Sequence, residues 1–175
     1  MPPTNIHLTK KLEKLVKKLV SKEPEGSDTL LGNWNATVFY VDRKKCWLIT
    51  NAVTKYNVVL TDIKASDLKN IEHLFKNAFY GQLVYDGIIT DFETINAAIG
   101  SLQFLPTNND RSTLGFQNHS LEALDWWKYQ YGGLDNMAIK ELTHRLNTSP
   151  FRNGGRRAMN KSTTPIKEMK VLLLG

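Results

Sequence analysis

Three consecutive stretches between Trp34 and Leu60 are rich in β-forming residues that alternate with a period of two. They read W-N-A-T-V-F-Y-V, C-W-L-I-T and Y-N-V-V-L, and this pattern is typical of strands that pack one face against a core. The first two are joined only by the charged link from Asp42 to Lys45, and a connection this short makes neighbouring strands antiparallel. The segment therefore predicts the centre of an antiparallel sheet.

Helical patterns lie on both sides of this segment. Apolar residues at helical spacing follow a capping residue at several places, and the first such helix, capped by Thr9, extends its apolar pattern to Val20. The apolar run Leu102 to Leu105 predicts one more strand. Further helices are predicted to begin at Ser66, Thr90, Leu114 and Asp135.

The length of 175 residues is that of one domain. We expect a single α+β domain over residues 1–150, in which an antiparallel sheet of about four to five strands packs against several helices. Residues 151–175 are expected to form a basic C-terminal tail, whose short last element docks on the body through Val171 to Leu174.

Composition excludes several classes of protein. The single cysteine, Cys46, allows no internal disulfide framework and no Cys-rich zinc site, and we expect neither a metal nor a cofactor. No apolar run reaches the ~18 residues needed to cross a bilayer, and the first residues lack the pattern of a signal peptide. We therefore expect a soluble, cytoplasmic protein without a membrane partner.

Positive charge is concentrated at the two ends of the chain. Of a net charge of +6, residues 1–22 carry +5 and residues 151–175 carry +5, so the middle carries −4. Such ends attract nucleic acid or an acidic partner, or serve only as solvated surface. No aromatic residue is interleaved with these charges in the sequence, as base stacking would require. The candidate contact residues are Lys14, Lys17, Lys18, Arg152, Arg156 and Arg157.

The stretch T-N-N-D-R-S-T-L-G-F-Q-N, from Thr107 to Asn118, precedes and opens the longest helical pattern. A helix start offers free backbone N–H groups, to which an arginine and polar side chains would add donors for a phosphate or carboxylate. In the alternative interpretation, Asp110, Ser112 or Thr113 only caps the helix and Arg111 pairs with a structural carboxylate. The candidate anion-binding residues are Thr107, Asn108, Asn109, Arg111, Ser112 and Asn118.

No catalytic residue is predicted with this stretch. It is neither a P-loop nor a dinucleotide-binding motif. His119, the histidine nearest to it, lies about two helical turns beyond Ser112, too far for a simple side-chain pair. Cys46 is interpreted as a small apolar residue of a strand.

The segments Asn33 to Asn51 and Thr107 to Asn118 together resemble a family of small bacterial proteins that is described only as a domain of unknown function. The resemblance covers a Trp-led strand at Trp34, an R-K-K-C hairpin followed by T-N, and R-S-x-L-G-x-x-N from Arg111. The chain departs from this pattern at Phe116 and Gln117, where smaller residues or Met are expected. The resemblance implies a soluble bacterial protein, sometimes carried by plasmids or other mobile elements, and implies no activity.

These observations favour a non-catalytic binding or regulatory module that contacts nucleic acid or an acidic partner. One alternative is an enzyme acting on RNA or a nucleotide, with Arg111 stabilising charge and His119 as acid or base. Another is a protein-interaction scaffold or inhibitor. The sequence does not indicate an oligomeric state.

Overall fold

The computed structural model describes residues 2–26, 29–152 and 162–175. The strands are β1 (Thr4–Leu8), β2 (Trp34–Val41), β3 (Lys44–Asn51), β4 (Asn57–Leu60), β5 (Leu102–Leu105), β6 (Phe151–Arg152) and β7 (Ser162–Thr163). The helices are α1 (Lys10–Leu15), α2 (Ile71–Tyr85), α3 (Phe92–Ile99), α4 (Arg111–Tyr131), α5 (Ile139–Asn147) and α6 (Pro165–Leu174). Short 3-10 turns cover Lys17–Leu19, Ala65–Asn70 and Leu134–Asn136. The predicted α+β class is confirmed.

The main sheet has five strands in the order β4-β3-β2-β1-β5, and β6 pairs with β7 in a separate small sheet. β2, β3 and β4 are antiparallel to one another, as predicted, but β1 is parallel to both β2 and β5. The sheet is therefore mixed and not wholly antiparallel. The short hairpin link fixes only the direction of β2 and β3, whereas β1 is joined to β2 by a long connection through α1, and long crossovers allow parallel pairing.

The hairpin between β2 and β3 turns on two residues. Val41 lies opposite Lys44 in the ladder, and the intervening Asp42 and Arg43 have φ angles of 52° and 64°. Two consecutive residues with positive φ are typical of the type I′ turn, whose twist matches that of the strands.

Helices cover both faces of the main sheet. One face packs against α1, α2, α3 and α6 in a cluster that includes Trp34, Phe75 and Phe79. The opposite face packs against α4 and α5 through residues such as Leu124 and Leu146. Over the described ranges, no helix is both long and apolar enough to cross a membrane.

Several predicted helix limits differ from the observed ones. Asp135, predicted to cap a helix, lies in the 3-10 turn Leu134–Asn136 ahead of α5, and α4 begins at Arg111 and not at Leu114. Thr9 caps α1 as expected, accepting a hydrogen bond from Leu12 N, but the α-helix ends at Leu15 instead of continuing to Val20. Val20 instead forms a bridge to Phe104. The cap of α3 is Asp91 and not Thr90, and the predicted helix at Ser66 begins as a 3-10 turn before α2. For α1 the pairing of Val20 with Phe104, and for α3 the carboxylate of Asp91, outweighs the local pattern.

The C-terminal element is a regular helix. Thr164 caps α6 and Pro165 occupies its first turn, a position where a missing N–H costs nothing. Met169 is fully buried in the main core, and Leu172 and Leu173 pack against that core. The other apolar residues of its last turns, Val171 and Leu174, are exposed.

Candidate functional site

The start of α4 is closed by its own cap. Asp110 accepts hydrogen bonds from the backbone N of Thr113 at 3.2 Å and from its hydroxyl at 2.6 Å. Burial raises the pKa of Asp110, but the Thr113 hydrogen bonds and the charge of Lys55 outweigh it and lower the pKa. A carboxylate therefore already lies at the positive end of the helix, where an anionic ligand would have to approach.

The loop before this cap is held by hydrogen bonds within the fold. Thr107 Oγ1 accepts from Asn109 N at 3.2 Å, and Asn109 has a φ of 55°. Asn108 Oδ1 accepts from Asp110 N and from Asn35 Nδ2, both at 3.2 Å. These contacts are those of a turn anchored to β2, and they occupy groups that an anion would need as ligands.

The three remaining candidates of this stretch, Arg111, Ser112 and Asn118, are exposed on α4. Within the described part of the chain, Arg111 forms no hydrogen bond or ion pair. The alternative interpretation expected Arg111 to pair with a structural carboxylate, and no such ion pair is present among the described residues. The helix start combines a free arginine with a capping carboxylate, so it is less favourable to anions than the sequence suggested.

Lys55, which the sequence analysis did not single out, is a buried cation next to the residues that cap α4. Its Nζ donates to Thr113 Oγ1 at 2.9 Å and to Ala52 O at 2.6 Å. Burial lowers the pKa of Lys55, and the nearby Asp110 partly opposes this. In sequence it resembles an ordinary loop lysine, because its partner Thr113 lies 58 residues further on. Its bonds make it part of the α4 anchor.

A buried polar chain connects α4 to the edge of the sheet. The buried Gln117 donates through Nε2 to Asn35 O at 2.8 Å and Thr50 Oγ1 at 3.2 Å. Thr50 in turn donates to Asn57 Oδ1 at 2.8 Å. A smaller side chain or Met at position 117 would lack these donors, so Gln117 anchors α4 over β2 and β3.

Asn147 of α5 completes the edge of β4. Its Oδ1 accepts from Asn57 N at 2.7 Å, and its Nδ2 donates to Asn57 O at 3.1 Å. The side-chain amide thus bonds both backbone groups, as a neighbouring strand would. An exposed strand edge can pair with the strand of another chain. Here the Asn147 side chain bonds the backbone of Asn57 at the edge of β4 in place of such a strand.

The buried carboxylate of Asp86, just after α2, joins three elements. It accepts from Tyr56 Oη at 2.5 Å, from His144 Nδ1 at 2.7 Å, and from Gln82 and Asn147 at 3.1 Å. Desolvation, followed by the charge of Asp86, strongly raises the pKa of Tyr56. With four donors around one carboxylate, this cluster holds α2, β4 and α5 together.

The histidines do not assemble a catalytic set. His119 is exposed and its Nδ1 lies 4.0 Å from Glu122, while His7 contacts Pro106 O at 2.9 Å. Across the described ranges, three or more His, Cys, Asp or Glu side chains nowhere gather closely enough to hold a metal ion. Cys46 is buried, and desolvation raises its pKa, which disfavours the reactive thiolate.

The lysines near the N-terminus form a separate surface, which we call the lysine face: Lys10, Lys11, Lys14, Lys17 and Lys18. All five are exposed, and none makes an ion pair within the described residues. Arg152 is exposed on β6. Arg156 and Arg157 lie outside the described residues.

Tyr40 brings an aromatic ring to the lysine face. Lys11 Nζ lies 5.5 Å from the centroid of its ring, and Lys45 is its cross-strand neighbour in the β2–β3 ladder. The sequence suggested that no aromatic residue is interleaved with the basic end, because Tyr40 is distant along the chain. In the fold, the Tyr40 ring has a cation–π contact with Lys11 of the lysine face and lies beside Lys45.

Two adjoining hollows extend from Tyr40 toward α4. One, of about 400 Å³, is lined by Lys11, Val38, Phe39, Tyr40, Leu121, Glu122, Asp125 and Lys128. The other, of about 580 Å³, is lined by Tyr40, Val41, Asp42, Arg43 and Lys128. Lys128 separates them, donating to Tyr40 O at 3.2 Å and pairing with Asp125 at 2.8 Å. The hollows are open and of mixed charge, and they contain no nucleophile with a base beside it.

Comparison with known proteins gives a family and no activity. The sequence model of the domain of unknown function DUF6933 matches residues 5–168. No curated protein and no solved structure matches the chain.

Proposed function

The chain belongs to the family of the domain of unknown function DUF6933, and we propose that it is a non-catalytic module that binds nucleic acid through the lysine face. The observation that carries the proposal is Tyr40, whose ring lies 5.5 Å from Lys11 Nζ next to exposed lysines that have no ion pair within the described residues. Lysines contact phosphates, and the half-buried ring of Tyr40 beside them offers an aromatic face on which a base stacks.

Two further features support binding over catalysis. The side chains of Thr107, Asn108 and Asp110 are engaged in a turn and a cap, and Asp110 would repel a phosphate held by the free Arg111. His119 is exposed, and its Nδ1 lies 4.0 Å from the exposed Glu122 on the same helix. An enzyme built on the Arg111 loop is therefore the weaker proposal.

An acidic protein segment is the second candidate, since the same unpaired lysines would also attract carboxylates. Tyr40 distinguishes the two, because stacking on an aromatic ring favours a nucleobase and contributes nothing to a glutamate side chain.

The test uses two labelled probes, a ten-nucleotide single strand and a ten-residue polyglutamate peptide, with binding followed by fluorescence anisotropy at several salt concentrations. For a nucleic-acid module, log affinity for the oligonucleotide falls with log salt, and each lysine removed from the contact lowers the slope by about 0.7. Lys14→Ala and Lys17→Ala are expected to show this change. Lys170→Ala, an exposed lysine on α6, is the matched control and leaves the slope unchanged.

Tyr40→Leu separates the two candidates. If bases stack on the ring, this variant loses about tenfold in affinity for the oligonucleotide, corresponding to ~1–3 kcal/mol per stacked base, while Tyr40→Phe keeps the wild-type affinity. Equal loss for both probes, or loss only for the peptide, favours the acidic segment. Binding of neither probe at low salt, with the fold intact, contradicts the proposed function as a whole.

A further inference from the structure

Two large aromatic side chains lie side by side on the solvent face of α4. Trp126 is 64% exposed and Tyr129 is 82% exposed, and their ring centroids are 6.4 Å apart. The core contacts of this part of the helix are made instead by Leu124 and Trp127, so the fold does not require the exposed pair. Exposed, adjacent Trp and Tyr residues are characteristic of the energetic centres of protein interfaces.

The surroundings of this pair are acidic. The side chains of Glu122 and Asp125 are 80% and 71% exposed. Two lysines line the adjoining hollow together with Glu122 and Asp125. Lys128 is already bonded to Asp125 and to Tyr40 O, and Lys11 lies over the Tyr40 ring. The pair also lies in the last turns of a helix of 21 residues, where the dipole adds partial negative charge. A cationic partner is thus favoured over an anionic one.

We propose that this surface, the α4 face formed by Glu122, Asp125, Trp126 and Tyr129, docks a basic segment of a partner protein. An arginine of that segment lies over the Trp126 or Tyr129 ring and pairs with Glu122 or Asp125. Arginine fits better than lysine because its planar guanidinium stacks on a ring while it bonds a carboxylate. The α4 face shares no residue with the lysine face, although Lys11 lines the same hollow as Glu122 and Asp125. Together the two surfaces would let one molecule bind partners of opposite charge.

The probe is a ten-residue peptide of alternating arginine and serine, compared with the same peptide carrying glutamate in place of arginine. Trp34 and Trp47 are fully buried and Trp127 is half-buried against the core. A change in tryptophan emission on adding a peptide therefore reports on the α4 face where it is lost in Trp126→Ala. We expect the arginine peptide to bind and to change the emission, and the glutamate peptide to leave the emission unchanged. Trp126→Ala, Tyr129→Ala and Glu122→Lys are each expected to reduce affinity at least tenfold.

Exposed residues on other elements supply matched controls. Glu93→Lys, on α3, makes the same charge change as Glu122→Lys, and Ile89→Ala removes an apolar side chain that is exposed before α3. Both are expected to keep wild-type affinity. A similar loss in Glu93→Lys would mean that net charge alone attracts the peptide, and this result overturns the proposal.

Three other results also overturn it. The glutamate peptide or a single-stranded oligonucleotide could change the emission in a manner abolished by Trp126→Ala, which would assign the face to an anion or to stacked bases. A concentration-dependent dimer in sedimentation, lost in Trp126→Ala, would assign it to a second copy of this chain. Binding of neither peptide also contradicts it, and leaves the lysine-face proposal standing because that proposal depends on other residues.

Discussion

At the scale of single residues, the most constrained group is the carboxylate of Asp86. It lies at the end of α2, and its donors come from Tyr56 before β4 and from His144 and Asn147 on α5. A buried charge is tolerated only when hydrogen bonds replace the water it has lost. Each donor therefore contributes to stability through Asp86 as well as through its own packing.

Tyr56 gives a prediction about alkaline stability. Burial and Asp86 raise its pKa above the ordinary value of 10.0, so the folded protein keeps this proton at a pH where the unfolded chain releases it. The free energy of unfolding should therefore fall as pH rises above about 10. Tyr56→Phe should remove this part of the fall, and at pH 7 should cost about 1–3 kcal/mol because Asp86 loses a donor. Urea unfolding at pH 7 and pH 10.5 measures both effects.

The control for this prediction is Tyr129→Phe, which removes a hydroxyl from an exposed ring. It should leave the free energy of unfolding at pH 7 and its alkaline decline as in the wild type. If Tyr56→Phe declined with pH as steeply as the wild type, the Tyr56 hydroxyl would not be the group that holds its proton in the folded state.

At the scale of elements, the start of α4 gives a prediction about how much its capping residue contributes to stability. Asp110→Ala removes a cap that accepts two hydrogen bonds from Thr113, and should cost about 1–2 kcal/mol. Because the pKa of Asp110 is lowered in the fold, its ionic contribution should be present at neutral pH and disappear as pH falls below about 4. Urea unfolding at pH 7 and pH 3 measures it.

Arg111→Ala is the neighbouring control. Its side chain is exposed and has no ion pair within the described residues, so the free energy of unfolding should change by less than about 0.5 kcal/mol. A loss as large as that of Asp110→Ala would show that Arg111 contributes to the fold, as the alternative interpretation of the sequence assumed.

The elements that the sequence predicted well are those set by local pattern. Strands β2 and β3 and their turn follow from alternation and from a link too short for anything but a hairpin. The length of α1 did not follow, because Val20 has the spacing of a helical residue and nevertheless pairs with Phe104. The direction of β1 did not follow either, since nothing in Thr4–Leu8 specifies which strands lie beside it.

The candidate site was predictable to the same limited extent. The lysines near the N-terminus and the Thr107 to Asn118 stretch were found from local composition. Tyr40 could not be placed beside Lys11, nor Asn147 beside Asn57, because each pair is brought together only by the sheet and its covering helices. The sequence also could not show that the consecutive residues Trp126 and Trp127 have different surroundings. The first ring is exposed and the second packs on the core.

At the scale of the whole molecule, both ends of the chain enter the same core. Ile6 and Leu8 of β1 and Met169 of α6 are fully buried in the cluster that also contains Trp34 and Phe75. β1 lies between β2 and β5, so the first residues of the chain are central to the sheet. A core that joins the two ends in this way favours cooperative unfolding as one unit.

Met169→Ala tests this cooperativity. Removing a fully buried methionine side chain should lower the free energy of unfolding by about 2–5 kcal/mol, without changing the slope of stability against urea. Hydrogen exchange should then accelerate by the same factor in α6 and in the most protected amides of β3, because both open only with the whole molecule. Val171→Ala, an exposed residue of the same helix, should change neither quantity. Faster exchange confined to α6 would instead make that helix a separate, weakly attached unit.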